Sequence, residues 1–179
     1  MSRRACIWLL FLLFILRGAA ASLAQGNLLA NPGFESGKSS WVGTGSFEIV
    51  SAPVHSGANA AKVRGSIVQY VDAVYAGAGY TFSAWAVKND PAVSGVRLVL
   101  DWKDAGGNSL RRDASALLST NSPDYRQLSL GPVIAPPGSR RVQVILDSSG
   151  AGYSYFDDAL LVMSSPPPTK TPTPSPRAT

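Results

Sequence analysis

The chain has 179 residues, with 16 Lys and Arg against 11 Asp and Glu, one histidine and one cysteine. Five of the basic residues lie at the ends (Arg3, Arg4, Arg17, Lys170 and Arg177), which leaves 11 basic and 11 acidic residues between them. A central domain of zero net charge is not an electrostatic binder of nucleic acid or anionic membrane, and the lone Cys6 excludes an intrachain disulfide.

In chain order, Ser2-Arg3-Arg4 is a basic start, Ile7 to Leu16 an apolar run, and Arg17 to Ala24 a stretch ending in small residues. That layout predicts a secretory signal over 1–24, cleaved near Ala24. The run is far shorter than the roughly 20 residues a spanning helix needs, so no stable membrane insertion is expected after cleavage. The expected location is secreted or at the cell surface, and Cys6 leaves with the signal. At the other end, residues 165–179 alternate Pro with Thr or Ser. Proline there removes amide donors and holds an extended conformation, so this stretch reads as a semi-rigid linker or tail.

Residues 25–164 show no sustained helical period. Short β-branched and aromatic runs predict strands at Phe47–Ser51, Ala60–Val63, Ser66–Val74, Tyr80–Lys88, Val96–Lys103, Arg126–Ile134, Arg141–Asp147 and Ser154–Val162. Turn residues separate them, among them Pro53, Ser56-Gly57, Asp90-Pro91 and Pro136-Pro-Gly138. Eight strands at this spacing predict an all-β fold, a two-sheet antiparallel β-sandwich of jelly-roll type. Alternation puts Tyr80, Phe82, Ala84 and Ala86 inward with Val96, Leu98, Leu100 and Trp102, and Val142, Val144 and Leu146. It puts Trp85, Arg97, Asp101 and Gln143 outward, and it sends the adjacent Asp157 and Asp158 to opposite faces.

The residue inventory opposes catalysis. His55 is the only histidine and sits in a turn without a nucleophile-elbow pattern, and Glu35 and Glu48 are the only glutamates. A sugar presents an apolar C–H face, which flat rings beside planar polar groups can hold. The candidate carbohydrate contacts are Trp85, Tyr70 and Tyr125, with the polar groups of Arg97, Asp101 and Gln143. Phe34, Trp41, Phe82, Trp102 and Phe156 are expected in the core.

Three segments carry a family resemblance: Asn27-Leu-Leu-Ala-Asn-Pro-Gly-Phe-Glu35 with Trp41 after it, the turn His55-Ser-Gly-Ala58, and Tyr155-Phe-Asp-Asp-Ala-Leu-Leu-Val162. Together they resemble the galactose-binding-like jelly rolls grouped as family 4/9 carbohydrate-binding modules, over roughly residues 27 to 163. The resemblance implies an exported, non-catalytic module that binds a polysaccharide or other glycan. A separate enzyme or a cell-surface component is the further partner it implies. It also implies a structural calcium ion held by the Gly33 carbonyl, the Glu35 carboxylate, His55, the Ala58 carbonyl and Asp157. His55 stands where a carboxylate is usual, which leaves either its carbonyl as the ligand or a weak or empty site. The alternative is a structural or adhesive cell-surface sandwich without sugar binding.

Overall fold

A computed structural model describes residues 26–72 and 74–169. The expected signal over 1–24 and the tail beyond Thr169 lie outside the described residues. Among the described residues there are nine strands and no helix: β1 (Val42–Gly43), β2 (Ser46–Val50), β3 (Ala60–Val71), β4 (Gly79–Lys88), β5 (Val93–Lys103), β6 (Ser109–Ala114), β7 (Ser122–Ile134), β8 (Arg141–Gly150) and β9 (Ser154–Ser165). All pairings are antiparallel, in the order β6-β5-β8-β3-β9-β4-β7, with β1 and β2 also on β3. This is the β-sandwich jelly roll that the strand spacing predicts.

Strand β3 belongs to both layers. Its first part pairs with β2 and β9 through Ala60–Arg64, and its second part with β8 through Gly65–Val71. The handover falls at Gly65, whose φ is +89°, a backbone region open mainly to glycine. Gly45 crosses this corner so closely that a Cβ on it would stand 2.2 Å from the Arg64 carbonyl oxygen. The two runs expected at Ala60–Val63 and Ser66–Val74 are therefore one bent strand.

The core lies between the layers. Tyr80, Phe82, Ala84 and Ala86 of β4 face Val96, Leu98, Leu100 and Trp102 of β5 and Val142, Val144 and Leu146 of β8, and all are fully buried. Phe34, Trp41 and Phe156 complete it, as expected. A buried indole needs a partner for its N–H, and Trp102 Nε1 donates to Asp113 of β6 at 2.7 Å. Asn31 closes the first turn: its side chain donates to the Gly37 and Ser39 carbonyls, and its own carbonyl accepts from Trp41 Nε1 at 3.0 Å. Asn27 ties the same segment to β9 through Ala159 and Leu161. The opening motif is thus a plug that seats Phe34 at the end of the core.

Candidate functional site

The sequence-nominated residues fall on two opposite outer faces. On the β6-β5-β8-β3 layer, antiparallel register stacks outward side chains into rows that cross the strands. Ser66, Asp147 and Arg97 form one row. Val68, Ile145, Val99 and Ala114 form the next, and Tyr70, Gln143, Asp101 and Arg112 the third. The middle row is apolar although it faces outward, and Val68, Val99 and Ile145 are buried as a cluster separate from the main core. They floor a groove of about 470 Å³, walled by Thr44, Ser66, Asp147 and Arg97 on one side and by Gln143 and Arg112 on the other.

The walls are internally neutralised. Asp147 accepts from Ser66 Oγ at 2.7 Å and from Arg97 Nε at 3.0 Å. Asp101 is buried: it accepts from Lys103 Nζ at 3.2 Å and from Ser109 Oγ, with Arg112 Nε 3.7 Å away. Asp101 thus holds neighbouring cations in place and does not line the groove. Tyr70 stands at the groove's end, 49% exposed, with its hydroxyl accepting from Gln143 Nε2 at 3.0 Å and the Arg141 guanidinium 5.4 Å from its ring centroid. Of the six carbohydrate candidates, the structure brings Tyr70, Arg97, Asp101 and Gln143 together on this face.

Trp85 and Tyr125 lie on the other layer. Trp85 of β4 is opposite Gln127 of β7 and Asp157 of β9. The ring is capped rather than open: His55 stacks on it with centroids 4.0 Å apart and planes within 16°, and Tyr125 meets His55 edge-on at 5.4 Å. Tyr125 donates its hydroxyl to the Pro53 carbonyl at 2.9 Å. Burial pushes its phenol well above the usual tyrosine range, and the nearby Asp157 and Asp158 carboxylates add to that. This cluster pins the 53–58 segment onto the sheet.

The five metal candidates do gather, at the edge of this second face. Asp157 is fully buried and its Oδ2 accepts from the His55 and Ser56 amides at 2.8 and 3.2 Å. Burial pushes its carboxyl above the usual carboxylate range, against the amides of His55, Ser56 and Asp158 that favour the ionised form. Glu35 Oε1 accepts from the Ala58 and Asn59 amides at 3.0 and 3.2 Å, so Ala58 meets it through N–H. A Cβ on Gly33 would fall 3.4 Å from Asp158 Oδ1 and 3.8 Å from Asp157 Oδ1, so the bare Gly33 backbone faces both acids.

The expectation that Asp157 and Asp158 face opposite ways is corrected. β9 shifts register against β4 between the Ser83 and Trp85 pairings, and Asp158 takes a positive φ of 46°. This bulge turns both carboxylates to the same turn. Asp158 bonds His55 Nδ1 at 2.6 Å and accepts from Ser56 Oγ at 2.9 Å.

Whether this set suits calcium turns on its donors. Asp157 and Asp158 meet the turn at His55 and Ser56, Glu35 meets it at Ala58 and Asn59, and the buried Asp157 has no lysine or arginine ion pair among the described residues. Also among the described residues, no three His, Cys, Asp or Glu side chains are grouped to hold a metal by themselves. The carboxylates are hard oxygen donors of the kind calcium takes, but the turn groups that meet them are the amides of His55, Ser56, Ala58 and Asn59.

Sequence reasoning missed the groove's floor and much of its wall: Val68, Val99, Ile145, Ala114, Arg112 and Asp147. An available signal was Ile145, an apolar residue between Gln143 and Asp147 on an otherwise polar face of β8.

No protein-family model matches the chain, and no curated protein matches it. Solved structures do. The CBM22-1 xylan-binding domain from Paenibacillus barcinonensis Xyn10C superposes with a TM-score of 0.65 at 14% identity, covering 80% of this chain and 99% of that one. TmCBM61, solved in complex with β-1,4-galactotriose, gives 0.54 at 25% identity, covering 78% and 99%. The enzymatically active domain of tailspike protein 4 from bacteriophage CBA120 gives 0.58 at 14% identity over 76% of this chain. This chain spans only 21% of the length of that domain. The fold is therefore one used by carbohydrate-binding modules of several families.

Proposed function

We propose that the protein is a non-catalytic carbohydrate-binding module and that its glycan lies in the β6-β5-β8-β3 groove. The observation that carries this reading is the apolar row Val68–Ile145–Val99–Ala114 bordered on both sides by paired charges and an amide. A sugar chain offers C–H patches and hydroxyls that both donate and accept. An apolar floor meets the first, and guanidinium, carboxylate and carboxamide groups meet the second. One of the similar structures is a xylan-binding domain and another is in complex with β-1,4-galactotriose, which supports a polysaccharide ligand. The family 4/9 assignment and export belong to the same proposal.

Calcium is proposed as a structural ion at the second face. Glu35, Asp157, His55 and the carbonyls of Gly33 and Ala58 would hold it. Its chemistry would be charge neutralisation of the buried Asp157 and the exposed Glu35, joining the first turn to the last strand.

The test of the groove is calorimetric titration of neutral β-1,4-linked oligosaccharides into wild type, Arg97→Ala and Gln143→Ala. Each variant is expected to lose about 1–3 kcal/mol of binding, the scale of an interface hot spot. Folding stability should stay within about 0.5 kcal/mol, as for surface substitutions. Full affinity in both variants would move the site elsewhere, and a folded protein that binds no glycan would favour the adhesive reading.

A further inference from the structure

Beyond Tyr70 the groove face continues into a second recess of about 200 Å³, lined by Asp72, Asp104, Gly106, Gly107, Arg140 and Arg141. Its walls come from the end of β3, the β5–β6 turn and the residues that lead into β8. It has less than half the volume of the groove, in keeping with one substituent rather than a chain. The two spaces are joined through side chains. Arg141 lines the recess and lies over Tyr70, whose hydroxyl bonds Gln143 of the groove wall.

The polar groups of the recess are unequally committed. Asp72 is ion-paired with Arg141. Asp104 accepts from the Asn108 amide at 2.9 Å and from Asn108 Nδ2 at 3.1 Å, bonds that hold its carboxyl below the usual range. Arg140 gives its backbone N–H to the Lys103 carbonyl at 2.9 Å, and its guanidinium makes no ion pair among the described residues. Asp72 is neutralised by Arg141 and the oxygens of Asp104 are turned to Asn108, while the exposed Arg140 guanidinium keeps its donors for a ligand. A planar guanidinium matches a carboxylate bidentately and with charge assistance.

We infer that this recess is a subsite for the carboxylate of an acidic sugar, carried as a branch or terminal unit of the glycan, with Arg140 as the recognising residue. The attachment to a longer chain rests on the groove reading; the anion preference of the recess does not. A neutral backbone lies in the groove, and a uronic acid reaches past Tyr70 to Arg140. Specificity for decorated over undecorated polysaccharide is the consequence.

Two measurements on the purified protein separate the ideas. In an NMR titration with sodium glucuronate, the Gly106 and Gly107 amides and Arg140 Nε should shift. Glucose should leave them unmoved, and Arg140→Met should abolish the glucuronate response. Calorimetry then compares xylotetraose with xylotetraose bearing one glucuronic acid. The acidic form should bind about three- to tenfold tighter, with the advantage shrinking at high salt and absent in Arg140→Met. Arg140→Met should bind the neutral chain as wild type does. No glucuronate-specific shift overturns the inference, as does equal affinity for the two chains or an advantage that survives Arg140→Met. A glucuronate response without any oligosaccharide binding supports the recess and overturns the groove.

Discussion

Replacing Trp85 by alanine separates two roles for the largest ring on the second face. The side chain is half-buried, under His55 at 4.0 Å and beside the Tyr125 contact that pins the 53–58 segment. Truncating a fully buried tryptophan costs about 3–5 kcal/mol, so a half-buried one should cost about 2. Loss of the stack on His55 adds about 0.5–1.5 kcal/mol, giving about 2.5–3.5 kcal/mol in all. Urea unfolding should show this as a lower midpoint at unchanged slope, which keeps the comparison two-state. His55→Ala should cost part of the same energy, and the double variant less than the sum, because the two rings share one contact. Glycan affinity of the folded Trp85→Ala protein should match wild type, since the groove lies on the opposite face. A variant that keeps the wild-type urea midpoint but loses glycan binding would refute this and make Trp85 a ligand platform.

Two further outcomes are expected. If calcium neutralises the Asp157 site, chelation should lower the melting temperature, since a ligand specific to the folded state adds about 2.7 kcal/mol at a hundredfold excess over Kd. Asp157→Asn should remove that response, and a melting curve indifferent to chelator in the wild type would exclude the ion. Export with cleavage should yield a mature N-terminus near Gln25, and N-terminal sequencing that finds Met1 on membrane-extracted protein would contradict it.

The sandwich was legible because its inward positions are consistently apolar: the alternation in Tyr80–Lys88 and Val96–Lys103 places the same residues in the core that the structure buries. Strand β6 was not legible. Ser109-Leu-Arg-Arg-Asp-Ala114 is a largely exposed edge strand, and an edge with solvent on one face needs no apolar alternation. Missing β6 hid Arg112 and Ala114, and with them one side of the groove. The Asp157–Asp158 geometry was hidden for another reason. Period-2 reasoning assumes an unbroken ladder, and the bulge at Asp158 breaks it where two carboxylates must meet one turn. The outward position of Trp85 was read correctly, but its cover comes from His55, thirty positions away in sequence, and no local pattern announces a non-local cap.

The unread strand also ties the groove to the core. On β6, Arg112 and Ala114 point into the groove while Asp113, between them, turns inward to accept the Trp102 indole N–H. Arg111 is drawn to the same carboxylate at 2.8 Å and to the Ile134 carbonyl of β7, so the edge strand is held to both layers. Alternation at a two-residue period makes these roles inseparable: a strand that offers Arg112 to a ligand must offer Asp113 to the core. The groove wall is therefore positioned by a part-buried hydrogen bond to a core side chain rather than by a loop. On the proposed reading, that favours a site already formed before a glycan arrives, with little ordering cost to subtract from its affinity.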